Sequence, residues 1–402
     1  MVTLQSAENA LKTVYLGVVA NQLNTNSNPL LGKIKQSSKD VWGKEVRKLA
    51  PFGINGGIGA GAETDALPQA AGNTYVQFIS ELKNLFGKIE LSDKAIRASA
   101  NNAGAFVNLL NDEMEGLIKA SSFNVGRMLY GDGTGILATV SAFDSSSKAI
   151  TCDSVRNFIE GMVVDIYNGD EKQAYASGKR ITFVDRVNKK IYLDFPTTFD
   201  GDIQSGYTIY VQNSKGHEIS GLGKIFSGSE SLYGVSRTQY PWLTPYTKTN
   251  AGEISDGLIQ SAIDFLEEVS GSSINYIACS SQVRRAYQEY LGAYRRNIDV
   301  TELAGGYKAI TYNGIPVVSD RFVEDDAMYL LNTNDFTLHQ LCDWKWLEGE
   351  DGRVLKQSPN YPTFSATLVK YAELICDRPN GQAKITGISG TVTNPFATVI
   401  NN

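Results

Sequence analysis

Histidine is nearly absent from this chain: His217 and His339 are the two examples in 402 residues. Imidazole is the commonest general base and metal ligand, so its scarcity weighs against hydrolase and metalloenzyme chemistry, while carboxylate or lysine chemistry stays open. Cysteine is also sparse. Cys152, Cys279, Cys342 and Cys376 lie far apart with no CxxC pair, which gives neither a disulfide framework nor a zinc site and suits a reducing compartment. No apolar run approaches the ~18 residues of a membrane span, and no basic-then-apolar leader opens the chain. A basic excess is missing too. With 37 Lys+Arg against 43 Asp+Glu, the formal charge is -6, and a dedicated nucleic-acid binder needs a basic face. A surface that merely tolerates DNA nearby remains compatible with that balance.

What is present is ordinary globular material, 42% hydrophobic and 20% charged, in a length that suits two or three domains. The unusual part is an arm followed by a long helix. Val46–Phe52 and Thr74–Phe86 read as extended runs joined by the soft tip 53–73, which is rich in glycine. At about 3.3 Å per residue, limbs of roughly 20 residues reach on the order of 65 Å, as far as a domain of this size is wide. The expectation is an arm that leaves its own domain to lie on something else. After it, Ser92 is a candidate N-cap for a short turn. A helix then runs to Tyr130, with Phe106, Leu109, Leu110, Met114, Leu117, Ile118, Val125, Met128 and Leu129 forming an apolar stripe. Its roughly 28 residues span roughly 40 Å, and Gly131-Asp-Gly-Thr-Gly135 stops it.

The remaining organisation follows from changes of period. Leu4, Leu11, Val14, Tyr15 and Val18 give a helical pattern in an N-terminal arm, 1–43. The extended loop takes 44–91 and the long helix 92–135. Short alternating runs at 149–152, 162–167, 180–185, 190–193 and 208–212 make 136–216 a small β-barrel or β-sandwich inserted into its surroundings. From 251 the pattern is α/β: helices Glu253–Val269 and Ser281–Arg295 around strand Ile274–Cys279, then strands at 308–312, 315–319, 327–332 and 336–340. Extended runs at 353–356 and 367–375 close the chain before a tail, 389–402. The class is therefore α+β.

No motif amounts to an enzyme site. Gly56, Gly57, Gly59 and Gly61 resemble a phosphate loop in glycine count alone; Glu63 and Thr64 follow where a P-loop needs Lys-Ser/Thr. Asp132 is one carboxylate, too few for calcium. Glu348, Glu350 and Asp351 gather acids at a turn, which suits a solvated loop or a partner for a neighbour's arginines better than a carboxylate pair across a cleft. Arg284, Arg285, Arg295 and Arg296, interleaved with Tyr287, Tyr290 and Tyr294, form either a contact surface or a helix buried on its tyrosine face. Cys279-Ser280-Ser281 lacks the flanking glycines of a nucleophile elbow; Ser280 or Ser281 serves as a helix N-cap.

The order of these parts resembles the tailed-bacteriophage major capsid proteins of the Hong Kong 97 type. Phe123-Asn-Val-Gly-Arg-Met-Leu-Tyr-Gly-Asp-Gly-Thr-Gly135 is similar to the end of that family's spine helix. Asn313-Gly-Ile-Pro-Val-Val-Ser-Asp-Arg-Phe322 and Met328-Tyr-Leu-Leu-Asn-Thr333 resemble its axial-domain hairpin, and Lys370-Tyr-Ala-Glu-Leu-Ile-Cys-Asp-Arg-Pro379 its closing peripheral strand. The resemblance implies a peripheral domain (92–135, 217–250, 346–388), an axial domain (251–345) and an extended loop laid over an adjacent subunit. It implies hexameric and pentameric capsomers, an icosahedral shell around double-stranded DNA contacted non-specifically, and portal, scaffolding and decoration partners. The inter-subunit candidates are then Gly56, Gly57, Gly59, Gly61, Glu63, Arg284, Arg285, Arg295, Arg296, Glu348, Glu350 and Asp351. No catalytic, cofactor or metal residue is expected, nor a membrane partner. Some members cross-link through a lysine near the loop tip; the tip here has none, so contacts are expected to be non-covalent. With 43 residues before the arm, scaffolding is expected to be a separate protein or to have been removed. An encapsulin-like shell and a β-rich phage tail or receptor-binding protein are the alternatives.

Overall fold

The computed structural model describes residues 28–64, 66–94, 103–196, 199, 201–294, 300–302, 308–350 and 352–389. The expected N-terminal helix, most of the turn expected after Ser92, Arg295, Arg296 and Asp351 lie outside the described residues.

The arm is built from β1 (Glu45–Phe52) and β2 (Thr74–Glu81), paired antiparallel along their whole length from Glu45↔Glu81 to Phe52↔Thr74. The expected run to Phe86 is two strands, because the chain breaks at Leu82, whose N–H bonds the Lys44 carbonyl at 2.9 Å. Beyond the break β3 (Lys83–Ser92) joins a different sheet; Ser92 is its last residue, and a helical turn begins directly after it at Asp93 and Lys94, where one was expected. Helix α1 (Ala103–Tyr130) follows. Met114 and Leu129 are buried on its apolar stripe while Glu115 and Lys119 face solvent. Gly133 and Gly135, both at φ +84°, turn the chain away from it, a conformation that glycine adopts without strain.

A closed barrel comes next, made of β4 (Ile136–Asp144), β5 (Ala149–Cys152), β6 (Val163–Tyr167), β7 (Ala176–Asp185), β8 (Lys190–Leu193) and β9 (Thr208–Val211) in the order β8-β5-β4-β9-β6-β7. The β7–β8 pairing closes it. The first of these strands has no counterpart among the runs expected from sequence. Ile150, Phe158, Val164, Ile166, Ile191 and Ile209 fill a core separate from the rest of the chain.

A seven-stranded sheet is assembled around β10 (Tyr276–Cys279). Helices α2 (Asp256–Ser270) and α3 (Ser281–Tyr294) share one core with it through Ile259, Leu266, Val283, Tyr287 and Leu291. Caps set their ends. The Ser255 hydroxyl accepts the Leu258 N–H, Gly271 closes α2 in the left-handed conformation, and the Ser280 hydroxyl accepts the Val283 N–H. Ser255→Ala is expected to cost about 1 kcal/mol in urea unfolding. β11 (Lys308–Tyr312) and β12 (Ile315–Ser319) form a hairpin through Asn313 and Gly314, at φ +47° and +81°, the two-residue turn this dipeptide favours. The sheet also holds β13 (Met328–Leu331), and it takes in residues 246–248 and 383–385.

The other main sheet joins β14 (Phe336–Trp346) and β15 (Thr363–Cys376), with β3 along the outer side of β15 from Thr363↔Ser92 to Ala372↔Lys83. Residues 35–37 run parallel to β14 on its far side. The division expected after residue 345 falls within β14. Helix α1 lies close to β3: a Cβ on Gly87 would stand 2.8 Å from Leu117 Cδ1.

Candidate functional site

The arm has two faces with different fates. Residues opposite one another in an antiparallel pair project to the same side. The inner side carries Val46, Ala50, Val76 and Phe78, all buried. Phe78 meets the Tyr233 ring at 5.3 Å and Trp242 at 6.0 Å, and Phe52 stacks on Trp242 at 6.2 Å. Burying a phenylalanine of this kind stabilises by about 2–3 kcal/mol. Lys48 adds a 2.7 Å ion pair to Asp377. Nearby, burial pushes the His339 imidazole below its usual range, with the Lys48 charge acting in the same direction.

The arm therefore does not leave its domain along its full length, as the sequence suggested. Its paired root, roughly 27 Å long at 3.4 Å per residue, packs on its own chain, because the aromatic segment 233–242 offers it a surface. Only the other face and the tip are open. The outer side carries Trp42, Leu49, Tyr75 and Ile79, exposed by 69%, 61%, 56% and 42%. Trp42 sits opposite Glu45, Leu49 opposite Gln77, and Ile79 opposite Arg47. The tip adds Ile54, Ile58 and Leu67, each more than three-quarters exposed. Among the described residues, eight of the sixteen exposed large apolar side chains lie between Trp42 and Phe86. Such concentration on one feature marks a contact surface.

The tip glycines serve close approach of the chain more than an unusual backbone conformation. Gly56, Gly57 and Gly59 do not have positive φ; Gly53 does, at +75°. They let the two limbs of the tip run side by side, since a Cβ on Gly57 would lie 3.3 Å from the Ala71 nitrogen and one on Gly59 3.3 Å from Pro68. Gly61 and Glu63 are exposed there. Arg284 and Arg285 lie half-buried on α3, and Glu348 and Glu350 are exposed on the loop between β14 and β15. The named candidates thus sit on three separate elements. The outer-face residues Trp42, Leu49, Tyr75 and Ile79 were missed. Their signal was available: Tyr75-Val-Gln-Phe-Ile79 is apolar at both odd and even positions, as in a strand covered on both faces.

Behind the arm, the junction of barrel and body is closely fitted. Arg127 of α1 meets Glu218 through two bonds, Nη1–Oε2 at 2.7 Å and Nη2–Oε1 at 2.5 Å, with both side chains nearly inaccessible. A cavity of about 450 Å³ lies alongside, lined by Arg127, Asp153, Arg156, Glu324 and Lys384 among others. Its charges neutralise one another, as in the 2.8 Å Lys384–Glu324 pair. Among the described residues no cluster of His, Cys, Asp or Glu could hold a metal, and no helix is long and apolar enough to cross a membrane.

No family model matches the sequence, and no curated protein matches it. Solved structures do resemble the fold. A chain of the cyanophage A-1(L) capsid asymmetric unit superposes with a TM-score of 0.53 over 92% of each chain, at 13% identity. A capsid chain of the native GTA particle covers 90% of this chain and 91% of its own, at TM-score 0.44 and 12% identity. The SrpI encapsulin of Synechococcus elongatus PCC 7942 covers 81% of each, at 0.42 and 9%. The chain has the mixed α+β fold of the cyanophage capsid chain.

Proposed function

We propose that this chain is a major capsid protein: a subunit that assembles into an icosahedral shell, the container of a phage genome. The arm carries this reading. Its inner face is buried on its own chain, its outer face sets exposed Trp42, Leu49, Tyr75 and Ile79 among Glu45, Arg47 and Gln77, and its tip reaches up to about 33 Å further on each limb. A second copy of the chain is the occupant that the fold supplies, and a heterologous contact repeated around a ring closes a capsomer. Each contact can be modest, because many are made at once.

In this reading α1 is the spine of a peripheral domain, the seven-stranded sheet with α2 and α3 is the axial domain, and the barrel is an insertion exposed to neighbours or solvent. Arg284, Arg285, Glu348 and Glu350 remain contact candidates between copies, with Arg295, Arg296 and Asp351. Hexamers and pentamers, portal and scaffolding partners, non-specific contact with packaged DNA, assembly in a bacterial cytoplasm and the absence of catalysis belong to the same proposal.

The double substitution Leu49→Asp with Tyr75→Asp tests it. Both side chains are exposed, so monomer stability should change by less than about 1 kcal/mol, while sedimentation should show assembly abolished. Particles at the parental yield would rule out the arm's outer face as the assembly contact.

A further inference from the structure

The segment that returns from the barrel, 217–223, is held at three successive points. Glu218 pairs with Arg127. Gly221 lies against the last carbonyls of α1. Between them, the Ser220 N–H donates to Glu373 Oε1 at 2.8 Å. Glu373 lies on β15 with no solvent exposure, and its Oε1 also accepts the Leu374 N–H at 3.2 Å. Its other oxygen, Oε2, is buried without a hydrogen-bond partner. A neutral carboxyl tolerates such a place; a carboxylate leaves a charged oxygen there without a donor.

We infer that Glu373 is a proton-dependent staple between the main sheet and the return from the barrel, tight in mildly acidic solution and looser toward neutrality.

The charged and titratable groups around it come from each neighbouring element. Lys83 of β3 favours the ionised form, and it also reaches the Gly216 carbonyl at 3.5 Å. Tyr233 is pushed far up by burial and stays neutral. Glu218 and Arg127 pair with each other through both carboxylate oxygens. His339 is the cross-strand register partner of Glu373. Burial outweighs the Ser220 bond and the Lys83 charge, and lifts the Glu373 carboxyl to about 7.

Opening the segment returns this carboxyl to an ordinary value near about 4.3. The closed form then holds a proton that the open form has lost. Its advantage is complete below the ordinary value, falls as pH rises through the closed-state value, and is flat above. The opening equilibrium should rise by up to on the order of a hundredfold across that window. His339 acts in the opposite sense. Burial depresses it, so its contribution is lost as pH falls.

Hydrogen exchange of the full chain, read by mass spectrometry on peptides covering 217–226 and corrected for intrinsic rates, tests the staple. In the parent, opening should increase steeply between about pH 5 and about pH 7. Glu373→Gln should flatten the profile, and Lys83→Gln should move the midpoint upward. A parent profile that is flat, or falls with pH, overturns the inference, as does an equal rise in Glu373→Gln. Should Glu373→Gln fail to fold, the parent profile and the Lys83→Gln shift decide. A failure here leaves the capsid reading untouched, because no assembly contact is involved.

Discussion

Glu218→Ala should destabilise the fold by about 3–5 kcal/mol, measured as the shift in urea midpoint at constant slope. The cost arises less from the lost attraction than from what is left behind. Arg127 is 3% exposed, and its remaining partner is Asn124 at 3.2 Å. Its Nε already lacks a partner in the buried site. Removing Glu218 strands a guanidinium in a low-dielectric interior, and that is the expensive outcome. Arg127→Ala should be similarly costly, because it strands the carboxylate. Arg127→Met combined with Glu218→Leu should recover most of the loss, since apolar groups of similar volume replace both charges at once. A Glu218→Ala variant within about 1 kcal/mol of the parent would mean that water or a rearranged partner satisfies Arg127.

Gly221→Ala should be at least as damaging, by an unrelated mechanism. A Cβ there would stand 2.3 Å from the Met128 carbonyl oxygen and 2.5 Å from that of Leu129. Both obstacles are backbone at the end of α1, so no side-chain rotation relieves them. The backbone itself is at φ -81°, which alanine accepts without strain. The penalty is therefore purely one of contact, more than about 3 kcal/mol, with loss of soluble folded protein the expected readout. Gly228→Ala is the control. Its Cβ meets nothing within 4 Å, and its stability should match the parent to within about 0.5 kcal/mol.

These two sites show where sequence and structure part. The long helix was legible because a stripe at spacings of three and four, ending in glycine, has few other solutions, and α1 indeed ends at Tyr130. The β11–β12 hairpin was legible from Asn313-Gly314. The Arg127–Glu218 pair was not. Its members are 91 residues apart, and nothing local distinguishes a buried glutamate from a solvated one. Gly221 and Gly223 look like turn punctuation, although their role is to let two backbones cross. The outer face of the arm is only half legible: Tyr75-Val-Gln-Phe-Ile79 shows two apolar faces, but which of them its own chain covers depends on Tyr233, Tyr240 and Trp242, far along the sequence. The strand Ile136–Asp144 was overlooked for a related reason. It follows the helix stop almost at once and gains its identity from pairing with β5 and β9.

The most direct test of the central claim is electron microscopy of the purified protein under assembly conditions. Closed icosahedral particles built from rings of five and six subunits are the predicted result. A protein that stayed monomeric under every condition, or formed only a discrete trimer, would contradict it.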